Sequence, residues 1–345
     1  MSTHTSSKDV APAGDAGFEP FVPRRGLRGA HRQTLAAYFL PRELRLPPPE
    51  CRLVRVEDNV QIRCDCHWQP RRADVPTVVV VHGLEGSSES QYVLGTANKA
   101  WDAGMNVVRM NVRNCGGTER LGPTLYHSGL SADVGVLVEE LVERDGLPSI
   151  FLAGFSMGGN LVLKLAGEWG PAVPAQVHAV AAVCPGMDLA VSAAALHLRS
   201  NRLYEWQFLY SLWRSVRRKR HLFPDRYQEP SLRCLRSLRD FDDEITAPYC
   251  GFASADDYYS RASASPWVGR INVPTLVIHA DDDPFVRLLP ETRAALRANP
   301  RIRFIETENG GHCGFLADPV GYDGRWAERQ IVCFFQECSQ RTTKR

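Results

Sequence analysis

Six short apolar runs recur along the chain, and they restrict its possible folds more than any other feature. They are TVVVVHG (77–83), NVVRMNV (106–112), SIFLAGF (149–155), VHAVAAVCP (177–185), TLVIHA (275–280) and RIRFIET (301–307). Because these runs are apolar on both faces, they predict strands of a parallel sheet that helices cover on each side. Helical patterns are expected at 92–103, at 131–145 with Ser131 as the cap, and at 157–168, 288–298 and 319–337.

Two segments of alternating polarity precede these runs and predict a hairpin. CRLVRVED (51–58) and VQIRCDCHW (60–68) flank the turn signal Asp58-Asn59. Together the segments predict an α/β fold with a mostly parallel, eight-stranded sheet flanked by helices. Cys64 and Cys66 share one face of the second strand, where we expect buried free thiols.

The sequence pattern predicts five parts along the chain. Residues 1–17 have the composition of a disordered tail. Residues 18–50, the strap, are basic with apolar anchors at Phe18, Phe21, Leu27 and Leu35. Residues 51–187 and 266–340 form the two parts of the core, and 188–265, the cap insertion, lack a strand pattern and predict a helical cap over one end of the sheet.

Composition and charge exclude several classes of protein. The 345 residues are 44% hydrophobic and 23% charged, which excludes collagen, coiled coils and wholesale disorder. A net charge of +2 provides no overall field for nucleic acid, which is not an expected partner. No secretory signal or bilayer-length apolar run is visible, and the ten cysteines form no C-x-x-C pair, so we expect a soluble cytoplasmic protein with reduced thiols. The oligomeric state stays open.

The clearest chemical motif lies where the run 149–155 meets a helical pattern. Gly154-Phe155-Ser156-Met157-Gly158 is a G-x-S-x-G motif between a strand and a helix, the context of a nucleophile elbow. Glycines at 154 and 158 are expected because neighbouring chains would crowd larger side chains there. The helix N-terminus would favour developing negative charge on the serine. The alternative is an ordinary strand-helix turn.

A serine nucleophile needs a base and an orienting acid, and in this fold class the chain order is serine, acid, histidine. His312 follows the last strand on a glycine-rich loop and is the predicted base. Asp281, Asp282 and Asp283 follow TLVIHA. We favour Asp283 as the acid and Asp282 second, whereas Asp281 suits a surface turn.

An oxyanion hole would take its backbone N–H groups from Leu84 and Met157. His82, at the start of the loop that contains Leu84, is a scaffold residue or a substrate contact. No Gly-Lys-Ser/Thr follows this loop and no G-x-G-x-x-G follows the first strand. Nucleotide chemistry therefore has little support.

The cap insertion carries two groups, each with two interpretations. The first is an aromatic stripe at helical spacing: Tyr204, Trp206, Phe208, Tyr210 and Trp213. It either lines an apolar acyl pocket or simply packs the helix against the rest of the protein. The second is a basic cluster: Arg214, Arg217, Arg218, Lys219 and Arg220. It is either a solvated helix face or a weak peripheral contact with anionic phospholipid.

Eight motifs occur in order along residues 18–338. They are HRQTL (31–35), HGLEGSSES (82–90), NVRNCGG (111–117), YHSGLSADV (126–134), GFSMGGN (154–160), Tyr-Tyr-Ser (258–260), HADDDPF (279–285) and GGHCGF (310–315). With them the chain resembles the α/β-hydrolase superfamily, and within it the YheT-like (AB hydrolase-4) family, which is related to the eukaryotic ABHD lipid hydrolases.

The resemblance implies a charge-relay triad of Ser156, Asp283 and His312, because the residue before Pro284 matches the family's acid. It also implies carboxylic-ester hydrolase activity, no metal or organic cofactor, and a structural or cap-docking role for the strap. Asn114-Cys115-Gly116-Gly117 departs from the family's more typical Arg-Gly.

The leading hypothesis is a serine esterase that forms an acyl-enzyme from short- to medium-chain acyl esters or lipid esters. An acyltransferase or thioesterase would use the same three side chains with a different acceptor or leaving group. A non-catalytic ligand-binding protein that keeps the fold is the alternative from another class.

Overall fold

The computed structural model of the protein describes residues 19–227 and 235–343 and contains one eight-stranded sheet. The predicted tail, 1–17, lies outside the described residues. The strands are β1 (Glu50–Glu57), β2 (Val60–His67), β3 (Thr77–Val81), β4 (Asn106–Asn111), β5 (Ile150–Phe155), β6 (Val177–Val183), β7 (Thr275–Ala280) and β8 (Ile302–Thr307). Their order is β1-β2-β4-β3-β5-β6-β7-β8, with β1 and β2 antiparallel and the other six parallel. The predicted fold class is confirmed.

The helices fall into three groups by position in the chain. In the strap lies α1 (Ala30–Phe39). The helices that alternate with the parallel strands are α2 (Gln91–Asp102), α3 (Ser131–Glu143), α4 (Met157–Trp169), α10 (Pro290–Ala298) and α11 (Trp326–Thr343). The cap insertion contains α5 (Leu189–Leu196), α6 (Arg202–Leu222), α7 (Leu238–Phe241), α8 (Ala247–Cys250) and α9 (Ala255–Ala262).

Two apolar layers form the core, one on each face of the sheet. Successive residues of β3 point to opposite layers: Val79 packs with the layer that includes α3, α4 and α10, and Val80 with the layer that includes α2 and α11. Burial of both faces explains why the strand runs are almost continuously apolar. Cys64 and Cys66 are buried in the first layer, as expected.

Two local predictions were wrong. The last helix begins at Trp326 rather than near 319, because Gly321 and Gly324 both adopt a φ of +75° in a loop that precedes it. Ser131 is not the cap of α3: the preceding residue occupies that position, and the Ser131 hydroxyl donates to Glu168 Oε2 on α4 at 2.6 Å. A tertiary hydrogen bond has replaced the expected local one.

The ends of the strands position the candidate chemical groups. Ser156 follows β5, Asp283 lies three residues beyond β7, and His312 lies in the loop after β8. Parallel strands end at the same edge of a sheet, so these residues collect at the carboxyl edge, where α/β proteins bind ligands.

Candidate active site

Ser156 sits in a strained turn between β5 and α4. Its φ is 54° and its ψ is −118°, a conformation that residues with side chains rarely adopt. A Cβ on Gly154 would overlap with the Gly158 carbonyl, and one on Gly158 would overlap with the Val81 carbonyl. The predicted crowding is confirmed, and it leaves Ser156 at the start of a helix with its side chain on a cavity wall.

His312 and Asp283 form a direct hydrogen bond. His312 Nδ1 lies 2.8 Å from Asp283 Oδ2. Asp283 is fully buried, and its other oxygen accepts from the backbone N–H groups of Phe285 (3.1 Å) and Val286 (2.9 Å). Burial would raise the pKa of Asp283, but His312 and these hydrogen bonds lower it below the ordinary value. The carboxylate is therefore charged and held in one orientation.

The neighbouring aspartates have other partners. Asp282 Oδ1 accepts from the Gly311 N–H at 2.8 Å and so holds the loop that carries His312. Asp281 makes an ion pair with Arg293 at 3.0 Å, in keeping with its expected surface role. Of the three candidates, Asp283 is the one that contacts the imidazole.

The imidazole of His312 is surrounded by groups that favour its protonated form. Burial would lower its pKa, but the negative charges of the neighbouring Cys313 thiolate and the Asp283 carboxylate raise that pKa well above the ordinary value. His312 Nε2 lies 3.9 Å from Cys313 Sγ. Among the described residues the structure joins His312 to Asp283 but shows no hydrogen bond between Ser156 and His312.

The two residues expected to form an oxyanion hole, Leu84 and Met157, line the same cavity as Ser156. The loop after β3 lies against the elbow, since a Cβ on Gly83 would be 3.0 Å from Ser156 Cβ. Glu85 follows in this loop with a φ of 53°.

Glu85 ties the loop to the cap, a contact that the sequence analysis missed. Its carboxylate accepts from the hydroxyls of Tyr126 (2.7 Å), Ser211 (2.7 Å) and Ser215 (2.9 Å). The two serines belong to α6, so one side chain links the loop that carries Leu84 to the longest cap helix. The only sequence signal was the charged residue within HGLEG.

Of the two roles expected for His82, the structure supports that of a scaffold residue and not that of a substrate contact. It is fully buried, and its Nε2 accepts from the Val112 N–H at 3.1 Å while Nδ1 donates to the Gly83 carbonyl at 2.7 Å. Burial lowers the pKa of His82 to about 4. The neutral ring therefore holds the loop after β3 in place through hydrogen bonds to backbone groups.

A cavity of about 120 Å³ lies between the elbow and the cap. Phe208 and Leu212 of α6 and Phe285 give it an apolar wall. Asp242, also on the wall, accepts from the Tyr259 hydroxyl at 2.7 Å, and burial raises the pKa of Asp242 to about 6. The wall is therefore apolar with a few fixed polar groups, as ligand sites usually are.

Of the aromatic residues expected to bind substrate, the structure places Phe208 on this wall. Tyr204, Trp206 and Trp213 lie outside the wall that the described residues form. Trp206 and Trp213 occupy other faces of α6, whereas Tyr204 shares the face of Phe208 but lies one turn before it. Tyr204 instead packs on Phe285, with ring centroids 5.3 Å apart. Phe285 in turn lies 4.4 Å from the ring of His312.

The strap contacts the loop that carries His312. Thr34 Oγ1 accepts from the His312 backbone N–H at 2.9 Å. Gln33 is completely buried; it accepts from the Leu316 N–H at 2.7 Å and donates to the Leu316 carbonyl at 3.1 Å. A Cβ on Gly311 would overlap with the Ala30 carbonyl. Sequence reasoning gave the strap no chemistry, and the polar pair within HRQTL was the signal for this contact.

Lys219 was expected within the basic cluster, and the structure buries it. Its ammonium donates to Asn114 Oδ1 and to the carbonyls of Gly122 and Glu119, the last at 2.8 Å. Burial lowers the pKa of Lys219 to about 8. Asn114, where the chain departs from the family's pattern, is thus a partner of a buried cap residue.

The structure also shows which side chains could hold a metal ion. Donor atoms of Cys184, His312 and Cys313 lie within 4.8 Å of one another, as do those of Cys184, His279 and Asp283. Both groups include a member of the hydrogen-bonded His312–Asp283 pair.

Comparisons with known proteins agree with this fold. A family model described as the alpha/beta hydrolase fold matches residues 76–319, and the chain belongs to that family. Escherichia coli YheT is 32% identical over 320 residues, covering 90% of this chain and 91% of YheT. Human phospholipase ABHD3 is 28% identical over 315 residues, covering 88% of this chain and 75% of ABHD3. The resemblance to the YheT-like branch is confirmed, and the chain is a carboxylic-ester hydrolase of the esterase and lipase type.

A solved structure supports the fold alone. The esterase Pf2001 of Pyrococcus furiosus superposes with a TM-score of 0.57 at 16% identity. The match covers 86% of this chain and 98% of Pf2001.

Proposed function

We propose that the protein hydrolyses short- to medium-chain acyl esters or lipid esters through an acyl-enzyme on Ser156. The observation that carries this proposal is the hydrogen bond between His312 and buried Asp283, at the sheet edge where Ser156 is held in its strained turn. Serine nucleophile, histidine base and orienting carboxylate are the parts that such chemistry needs.

Each group has one role in the proposed reaction. His312 donates from Nδ1 to Asp283, which leaves the lone pair of Nε2 to take the Ser156 proton as Oγ attacks the ester carbonyl. The backbone N–H groups of Leu84 and Met157 stabilise the oxyanion. The imidazolium returns its proton to the leaving alcohol. Water, deprotonated by His312, then attacks the acyl-enzyme carbonyl, and the imidazolium protonates Ser156 Oγ as the acid is released.

The cavity supports an acyl group as the bound portion of the substrate. Phe208, Leu212 and Phe285 offer apolar surface next to Ser156. A series of p-nitrophenyl esters of increasing chain length would measure the preference. We expect kcat/KM to rise with chain length until the cavity is filled and then to fall.

A fluorophosphonate probe, which reacts with activated serines, tests the proposed nucleophile. The wild-type protein should be labelled and Ser156→Ala should not. Ser192→Ala is the matched control, because Ser192 lies on the same cavity wall outside the elbow, and this variant should label normally. An unlabelled wild-type protein that binds acyl ligands would instead indicate a non-catalytic binding protein.

A further inference from the structure

The outer face of α6 exposes large apolar side chains in a regular pattern. Leu203 is 84% exposed, Trp206 64% and Tyr210 39%. Their spacing of three and four residues puts them on one stripe of the helix. Exposed apolar surface in such a cluster marks an interaction site more often than isolated side chains do.

The same stripe continues into cationic residues. Arg214 and Arg217 follow Tyr210 at spacings of four and seven, and both are exposed. Their guanidinium groups lie over the rings of Tyr210 (5.8 Å) and Trp213 (4.7 Å). The one acidic residue in the sequence of α6, Glu205, is buried and bonded to His197. The residues that α6 itself places on this exposed face are therefore aromatic, aliphatic and basic.

The opposite face of α6 belongs to the candidate site. Phe208 and Leu212 line the cavity beside Ser156, and Leu209 and Val216 are buried. The helix thus separates that cavity from the exterior. Whatever binds its outer face is brought next to the proposed nucleophile.

The neighbouring strap helix also exposes apolar side chains. His31 of α1 is hydrogen-bonded to the Tyr204 hydroxyl at 3.1 Å, so the two helices are in contact. Tyr38 is 72% exposed and Phe39 73% exposed near the end of α1.

The charges decide between possible occupants. A second copy packed antiparallel about a two-fold axis would set Arg214 and Arg217 against Leu203 and Trp206, which gives the guanidinium groups no anion. An anionic bilayer fits both parts of the stripe: leucine and aromatic side chains enter the boundary between headgroups and acyl chains, and arginines pair with lipid phosphates. No helix in residues 19–227 and 235–343 has the length and apolar character of a bilayer span.

We propose that the outer face of α6, defined by Leu203, Trp206, Tyr210, Arg214 and Arg217, docks on an anionic phospholipid surface. Peripheral binding of this kind would present the cavity to lipid esters. The docking itself does not require catalysis, so it can be tested apart from the proposed function.

Sedimentation with vesicles tests the docking. Wild-type protein should bind vesicles of phosphatidylcholine with about 30% phosphatidylglycerol at about 0.05 M salt, and binding should weaken at least about tenfold at about 0.5 M salt or on pure phosphatidylcholine. Arg214→Glu with Arg217→Glu should weaken binding to anionic vesicles at least about tenfold. Leu203→Ala with Trp206→Ala should weaken it at both salt concentrations.

Matched controls lie elsewhere on the surface. Arg301→Glu reverses an exposed charge at the amino-terminal end of β8, and Val320→Ala trims a side chain that is 80% exposed. Both should bind vesicles as the wild type does. Arg218 and Lys219 are left unchanged because they hold α6 to Glu119 and Asn114. Circular dichroism melting would confirm that each variant is folded.

Four results would overturn the proposal. Three are no binding by the folded wild type, equal binding to neutral and anionic vesicles, and equal losses in the control variants. A lipid-free dimer that Leu203→Ala with Trp206→Ala dissociates would also overturn it, by assigning the face to a second copy. Fluorophosphonate labelling reports on Ser156 alone, so failure of docking and failure of catalysis remain distinguishable.

Discussion

Asp281, Asp282 and Asp283 are adjacent in sequence and do three different things. One pairs with Arg293, one holds the Gly311 N–H, and one contacts His312. The three side chains are chemically identical, so their different roles come from the different directions in which the turn after β7 orients them.

This difference predicts a graded response to substitution. Asp283→Asn should lower kcat by about 10⁴-fold, because an amide cannot stabilise the imidazolium or hold the correct tautomer. Asp282→Asn keeps an acceptor for Gly311 and should cost less than about tenfold. Asp281→Asn serves as the matched control and should retain full activity. Steady-state kinetics on a short p-nitrophenyl ester measures all three, and equal losses would contradict the assignment.

The raised pKa of His312 predicts the pH dependence. Only the neutral imidazole can accept the Ser156 proton, so kcat/KM should fall as pH falls through that pKa, with a midpoint above the ordinary 6.5. Cys313→Ala removes one of the groups that raise the pKa and should move this midpoint to lower pH. Cys51→Ala, at an exposed thiol, should leave the profile unchanged. A midpoint unaffected by Cys313→Ala would refute the role of the thiol.

At the scale of elements, loops that carry the candidate catalytic groups are held by parts of the chain outside the sheet. The strap helix α1 holds the His312 loop through Thr34 and Gln33. Helix α6 holds the Leu84 loop through Glu85. The strap and the cap also meet each other at His31 and Tyr204.

We expect Thr34 to be a positioning residue for His312. Thr34→Val keeps the shape but removes the acceptor of the His312 N–H, and it should lower kcat by about three- to tenfold with little change in KM. Thr34→Ser restores an acceptor and should recover most of kcat. Arg32→Ala, on an exposed position of the same helix, is the control. If Thr34→Ser were as impaired as Thr34→Val, the hydrogen bond would not be the cause.

At the scale of the whole molecule, the cap is attached to the core by a buried charge. Lys219 ends in a pocket formed by Asn114, Glu119 and Gly122. Lys219→Met leaves these acceptors without a donor and should lower the free energy of unfolding by about 2 kcal/mol or more. Arg214→Met, on the exposed face of the same helix, should change it by less than about 0.5 kcal/mol. Urea denaturation compares the two, and similar values would show that Lys219 is not an anchor.

Most of the sheet could be predicted from local patterns. Each parallel strand is buried on both faces, so an apolar run identifies it without knowledge of its neighbours. The start of α11 was misplaced because the glycines at 321 and 324 form a loop before it. The outward direction of Trp206 could not be predicted, since helical spacing alone does not say which face of α6 meets the core.

By itself the amino-acid sequence determined the strands and the elbow around Ser156, because these depend on neighbouring residues. Only the tertiary structure decided which aspartate meets His312, that Lys219 is buried, and that Thr34 holds a loop 278 residues further along the chain. Such contacts join segments whose local patterns carry no information about each other. Packing alone brings them together.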